Sequence, residues 1–424
     1  MRHDVHGLHV TTESSAALET YDAATVGLLG WDASALDWFR AAADLDPQLA
    51  LAHAGAAVGL FLEERFDEAR KAAESARAVV AGQGERERSH VEAMSLLVTG
   101  KPREAEAVMS AHLLTWPRDL LIAQRLYFIW FWQGRFREML DLTTVIVRHS
   151  PGNSFALGLH AFALEENGRC DEAVRVSTAA LARNPADAWA VHALAHALYE
   201  MATFDTGIAR LPGRIHPCQH VNWFRDHLVW HLTLMHYARG DYERASTMAR
   251  SVFERRPSAI AGELHDSISL LWRLMLVGQD VNARWEPFAE IARGRINRPV
   301  LLFHSVHLGM ALSAAGDWAS AGRHLDTLRE RASRESLLRD VVVPLTEGMQ
   351  AFAGGDYRRA VDLIEPLRLR LIEIGGSRAQ RDVFHDTLLE ACFRAGDAER
   401  AQHLLTERVK RRPDHCWTSR QRVT

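Results

Sequence analysis

The chain has 424 residues, 47% of them hydrophobic and 25% charged, and its 50 basic and 54 acidic side chains leave a formal net charge of −4. That apolar fraction excludes a disordered chain, and the near-neutral balance provides no basic footprint for nucleic acid. The length suits about three ordinary domains, or one elongated repeat array that never closes around a single core.

From the N-terminus, MRHDVHGLHVTTESS carries no apolar signal-peptide core, and the greasiest interior run, LLIAQRLYFIWFW, is interrupted by Gln124 and Arg125. Cys170, Cys218, Cys392 and Cys416 are widely separated and form no CxxC pair, which argues against a disulfide framework or a thiolate zinc site. The expectation is a cytoplasmic protein with neither a nucleic-acid nor a membrane partner, and with a homodimer possible.

A short phrase then recurs along the chain. It reads ERFDEA at 64–69, GKPREA at 100–105, GRFREM at 134–139, GRCDEA at 168–173, GDYERA at 240–245, GQDVNA at 278–283, GDWASA at 316–321, GDYRRA at 355–360 and GDAERA at 396–401, with a degenerate copy ending at Gly207. Proline follows twelve residues after Ala35, Ala105, Met139, Ala173, Ala245 and Ala401, at Pro47, Pro117, Pro151, Pro185, Pro257 and Pro413. Twelve residues is about three helical turns and a stop. Each phrase therefore predicts a tight turn entering a helix, with small Ala where the paired helices cross.

These stretches, GRCDEAVRVSTAALARNPADAWAVHALAHAL and GDYERASTMARSVFERRPS above all, resemble the tetratricopeptide repeat family over roughly residues 35–415. Overall the chain resembles the tetratricopeptide repeat protein 38 family, whose units are degenerate. The resemblance implies an all-α fold, an α/α solenoid of helix pairs forming a right-handed superhelix. We divide it into an N-terminal segment and capping helix at 1–34, regular repeats at 35–207, longer degenerate repeats at 208–415 and a tail at 416–424. Three features depart from the family pattern: units after 207 lengthen to 38–41 residues, Met139 and Gly207 replace the usual Ala, and MATFDTGIARLPGRIHPCQHVNWF reads as a connection broken by Pro212-Gly213 and His216-Pro217. That connection is either a hinge or lip, or an ordinary link between repeats.

The 22 histidines concentrate between 160 and 307. His192 and His196 lie four apart and share one helical face. In the register implied by the family, inner positions fall on Gln124, Phe128, Phe131 and Trp132, then Phe155, Phe162, Glu165 and Glu166, then Trp189, His192, His196, Tyr199 and Glu200, and then His227, Trp230 and Tyr237. His231 is one turn from His227. Later helices carry His265 beside Asp266, His304 and His307, and His385 beside Asp386. An adjacent Asp and His on a helix point in different directions, so neither pair is a dyad by itself. Aromatics can also simply fill repeat interfaces, and Trp285 and Trp318 suit that role in particular.

The ligand-binding candidates are therefore Gln124, Phe128, Trp132, Phe162, Glu165, Trp189, His192, His196, Tyr199, Trp230 and Tyr237. Candidate acid/base groups are His192, His196, His227 and His231. No nucleophile elbow, phosphate loop or cofactor fingerprint accompanies them. No cofactor is expected. A divalent metal on His192 and His196 would need a third ligand from another helix, and HALAH lacks the internal Glu of HExxH. The reading is a superhelical protein whose aromatic and imidazole-lined concave pocket binds a small polar molecule or a peptide segment. The alternatives are a hydrolase, lyase or isomerase using the histidines, and an architectural scaffold.

Overall fold

The computed structural model describes residues 2–298 and 301–417; of the expected tail at 416–424, residues 418–424 lie outside the described residues. The chain is all-α, built of paired helices in a repeat arrangement as the phrases predict. Among the described residues, strand is confined to an N-terminal hairpin, Arg2–His3 with His9–Val10. No helix among them is long and apolar enough to cross a membrane.

The turn phrases work through their first residue. Gly100, Gly134, Gly168, Gly240, Gly278, Gly316, Gly355 and Gly396 all have positive φ, and so do Glu64 and Ala202, which stand at the same place in the first phrase and in the degenerate copy. This is the left-handed residue that ends a helix in a Schellman motif. The next amide reaches back five residues: Arg65 N donates to Leu60 O at 2.9 Å, Thr203 N to Leu198 O at 3.0 Å, and Asp241 N to His236 O at 3.0 Å. In the GD phrases the Asp serves two helices. Asp241, Asp317, Asp356 and Asp397 each donate their own amide to the outgoing helix and cap the incoming one, their side chains accepting from the backbone N–H three residues on.

The prolines act at the opposite end of the second helix. Helices stop at Leu45, Thr115, His149, Arg183 and Arg411, two residues before Pro47, Pro117, Pro151, Pro185 and Pro413. The residue before proline is sterically driven out of the helical region, as at Asp46 (φ −145°, ψ 93°) and Asn184 (φ −134°, ψ 95°).

Three expectations need correction. Pro212-Gly213 does not break the chain, because a helix runs Phe204–Ile215 straight through Pro212. Phe204, Leu211 and Ile215 recur on one face and are all buried, which holds the helix together around the proline. GQDVNA does not lead directly into a helix: a short 3-10 turn, Asn282–Arg284, precedes the helix Glu286–Arg295. Trp318 is 49% exposed, whereas Trp285 is fully buried.

The chain forms two compact units: Met1–Trp130 with Phe136–Leu194 and Arg214–Arg225, and Phe131–Arg135 with Ala195–Gly213 and Asp226–Thr424. In the first, the core is rich in small residues, with Ala42, Ala69, Ala73, Ala76, Ala105 and Ala173 all buried where helices approach. The stretch after His216 is pinned down: Ala33 N donates to His220 O at 3.0 Å and Asn222 N to Trp31 O at 2.9 Å, which ties the supposed lip to the turn after the N-terminal helix Ser15–Leu29. In the second unit Gly207 explains the degenerate phrase. A Cβ there would lie 2.0 Å from Met235 Sδ, so glycine makes room for the methionine.

The turn geometry makes a paired prediction. Nothing lies within 4 Å of a Cβ placed on Gly316, so Gly316→Ala carries only the left-handed backbone penalty and should cost about 1 kcal/mol. Ala202→Gly relieves the same penalty and should stabilise by a few tenths to about 1 kcal/mol. Urea denaturation of both variants checks the opposite signs; equal effects of the same sign would contradict the role assigned to the phrase's first residue.

Candidate functional site

In the first unit the helix bearing Trp189 and His192 faces a dense set of rings. Trp31 stacks on Phe224 at 4.4 Å between centroids and lies near-parallel to Trp189 at 6.0 Å, with Phe128 edge-on at 5.8 Å. Trp189 meets Phe128 at 5.0 Å, Phe162 at 5.3 Å and the His192 ring at 4.5 Å, and Phe162 lies 4.9 Å from His192. Trp31 holds φ at +63°, a left-handed conformation unusual for a tryptophan. Phe128 is half-buried, while Phe162, Glu165, Trp189 and His192 are buried.

Gln124 and Arg125 lie beside this cluster. Gln124 Nε2 donates to Leu29 O at 3.2 Å, and its side-chain oxygen accepts from Arg125 Nη2. The Arg125 guanidinium sits 5.2 Å from the centre of the Phe128 ring. It is 4% exposed, its Nε has no acceptor, and burial pushes its pKa down to about 9. Burying a guanidinium with only a neutral amide for company is costly.

The second unit holds a different constellation. His227 Nδ1 donates to Asp266 Oδ2 at 2.5 Å, and His231 Nε2 lies 3.2 Å from His227 Nε2. With the Nδ1 proton directed at Asp266, His227 Nε2 is placed to accept from His231 Nε2–H. The His196 ring is 4.3 Å from that of His231. Asp266 also accepts from Gln380 Nε2 at 3.2 Å through its other oxygen, and its backbone oxygen accepts from Trp230 Nε1 at 3.0 Å. Burial works to raise the Asp266 pKa, but attraction to His227 and the hydrogen bonds outweigh it and hold the carboxyl below its ordinary value.

Other candidates lie elsewhere in this unit. Trp132 is half-buried, 6.2 Å from the His265 ring and 6.3 Å from Phe303. Tyr199 lies beneath the Arg412 guanidinium at 4.4 Å, and Tyr237 packs near Tyr242 and His415. His265 and His307 are driven down to about 4 and about 3 by burial, so both rings are neutral near pH 7.

A buried ionic hub stands apart from the predicted residues. In the first unit Asp119 Oδ2 accepts from His90 Nδ1 at 2.9 Å, His112 Nε2 at 3.2 Å, and Arg86 Nε and Nη2 at 3.1 and 3.0 Å. Arg86 also pairs with Asp4 at 3.0 Å, which locks the N-terminal hairpin to the repeats. Two histidines and a carboxylate suit a metal by spacing, and their ligand atoms converge within 4.8 Å. Here the carboxylate oxygen is already spent on four donors, and the Arg86 guanidinium would repel a cation. The arrangement is a structural tie.

Sequence reasoning missed Trp31, Phe224 and Arg125 as members of the aromatic site. Arg125 was visible only as a charge interrupting an apolar run. Asp266 was visible, but beside its neighbour His265; the structure pairs it with His227 from another helix.

No protein-family model matches the chain. Among solved structures it is similar to the human IFIT1 dimer with m7Gppp-AAAA, at 14% identity and a TM-score of 0.42, covering 95% of this chain and 91% of that one. It is also similar to a tetratricopeptide repeat protein from Parabacteroides merdae, at 14% identity and a TM-score of 0.37 over 62% of this chain and 98% of that one. A third is YrrB, a TPR protein with an unusual peptide-binding site, at 19% identity and a TM-score of 0.26 over 42% and 91%.

Two stability predictions follow from the buried charges. Asp119→Asn leaves Arg86 short of a counter-charge and should cost about 3 kcal/mol or more in urea denaturation. Between about pH 6.5 and 4, the unfolded chain binds protons at His265 and His307 that the folded chain refuses, so stability rises with pH across that window by up to about 1.4 kcal/mol per unit per histidine. Melting temperatures at pH 7, 5.5 and 4.5 should fall in that order, and His307→Gln should flatten the slope. A slope unchanged in the variant would contradict the neutral assignment.

Proposed function

We propose that this protein is a helical-repeat binding protein whose aromatic and imidazole-rich site encloses a small polar molecule. The observation that carries this reading is Arg125, a buried guanidinium with no carboxylate partner, set against Phe128 in the ring cluster of Trp31, Trp189, Phe162 and His192. A ligand with an acceptor group would offset the uncompensated charge, while the rings contact its body and His192 adds a polar contact. Burial of Phe162, Trp189 and His192 favours an enclosed small molecule over a peptide laid along an open face.

A second reading has its own observation. The Asp266, His227 and His231 sequence fixes a tautomer and orients an imidazole, as general acid/base chemistry requires, and supports proton transfer on a bound molecule. The finer family placement, beside the tetratricopeptide repeat protein 38 family, rests on the repeat phrases alone, as does the division of the repeats at residue 207. None of the four cysteines is joined in a disulfide, which fits a cytoplasmic setting.

The test is to denature freshly purified protein and identify the released small molecules by mass spectrometry, alongside Trp189→Ala, Arg125→Met and the turn control Gly316→Ala. Wild type and the control should release the same compound in near-stoichiometric amount, and the two site variants less than about a tenth of it. Equal release from all four proteins, or no release together with no thermal shift across a panel of polar metabolites, would sink the binding reading. Asp266→Asn separates the second reading, because it should preserve retention while abolishing any conversion of the retained compound.

A further inference from the structure

The second unit contains a cleft that the aromatic and histidine sites do not use. It has a volume of about 200 Å³ where the helices Arg378–Arg394 and Ala398–Arg411 face Arg368. Four guanidinium groups line it, those of Arg368, Arg408, Arg411 and Arg412, against only two carboxylates, Asp382 and Glu407. Leu389 and Leu404 supply an apolar patch on the same wall.

Much of the positive charge is answered from the walls. Arg411 Nε donates to Glu200 Oε2 at 3.0 Å, Arg412 Nη2 to Glu200 Oε1 at 2.9 Å and also to Asp382, Arg408 Nη2 to Asp386, and Arg368 Nη2 to Glu407. These pairs hold the side chains in place without using all their donors. Arg408 Nη1, Arg412 Nε, Arg412 Nη1 and Arg368 Nε are buried nitrogens with no acceptor. Arg412 is itself only 1% exposed. Buried guanidinium N–H groups left without acceptors are costly. Around Arg408 and Arg412 the carboxylates Asp382, Asp386 and Glu200 are already engaged, whereas Glu365, 3.5 Å from Arg368, keeps one buried oxygen without a partner.

His385, half-buried on the same wall, is consistent with this field. Burial drives it down to about 3, with Arg408, Arg411 and Arg368 pressing in the same direction and Asp382 opposing them. It is therefore neutral near pH 7 and adds no competing charge. A surplus of fixed donors rejects a cation and suits a group rich in acceptor oxygens.

We propose that this cleft binds a small organic anion, with a carboxylate or phosphate head accepting from Arg408 and Arg412 and an apolar body lying over Leu389 and Leu404. This site is independent of the ring cluster in the first unit. Its ligand class follows from the donor surplus and the adjoining leucines.

The experiment is calorimetric titration of the full chain at low ionic strength with four probes: phenyl phosphate, benzoate, inorganic phosphate and benzyl alcohol. At least one aromatic anion should bind with one-to-one stoichiometry, and whichever binds tighter identifies the head group. Inorganic phosphate should bind about tenfold more weakly for want of the apolar body, and benzyl alcohol should not bind. Arg368→Gln, near the mouth of the cleft, and Leu404→Trp, which fills it, should each weaken the anion about tenfold while keeping the wild-type circular-dichroism melt. Arg408→Gln should weaken the anion as well, with a lowered melt because buried Asp386 loses its partner, and Arg408→Lys should recover part of the affinity. Absence of binding by both aromatic anions would mean that water alone satisfies these donors, and would overturn the proposal. So would binding that folded Arg368→Gln and Leu404→Trp leave unchanged, or benzyl alcohol binding as tightly as benzoate.

Discussion

A helix can turn back on itself within three residues only if one residue leaves the right-handed region, and the repeat arrangement of this protein depends on that reversal. The first residue of each phrase adopts positive φ, the following amide closes a bond five residues back, as at Lys101, Asp241 and Asp317, and in all but the GQDVNA phrase the second helix begins directly. Glycine is the inexpensive occupant of that position, but Glu64 and Ala202 take the same conformation because the turn requires it. In the GD phrases a single aspartate then completes the end of one helix and the start of the next. Little freedom remains in the joint, so the side chains on the paired helices are placed by the backbone and not by a flexible loop.

On that framework the protein buries an unusual amount of polar chemistry, and the partners decide what each group does. Asp119 is saturated by two histidines and an arginine, which makes it a strut. Asp266 is satisfied by His227 and Gln380 and passes its influence to His231, which makes it an orienting group. Arg125 has only an amide oxygen and an aromatic face, and the cleft arginines keep donors beyond those their carboxylates use. The first two arrangements close within the protein. The latter two lack acceptors, and both binding proposals rest on that difference.

The local pattern made much of the fold legible. A phrase period, a proline twelve residues on and small residues at crossings all act through near neighbours along the chain, so they predict the turns, the helix ends and the helix pairing. Even the degenerate copy at Gly207 was placed correctly by arithmetic, although its cause, the volume of Met235, was not visible. Near neighbours along the chain can also mislead. Pro212 suggested a break, yet buried Phe204, Leu211 and Ile215 keep its helix continuous.

The site divides along the same line. By itself the sequence determined that His192 and His196 share a helical face and that Trp189, Phe128 and Phe162 recur at matching positions, because helical spacing alone dictates those relations. Only the tertiary structure decided that Trp31 and Phe224 complete the ring cluster, that Arg125 lies beside it without a carboxylate, and that Asp266 takes His227 from another helix as its nearer partner at 2.5 Å, with its neighbour His265 at 3.5 Å from the other oxygen. Those facts depend on which distant helices meet and on what burial does to a charge once they have met, and neither is encoded in any short stretch of residues.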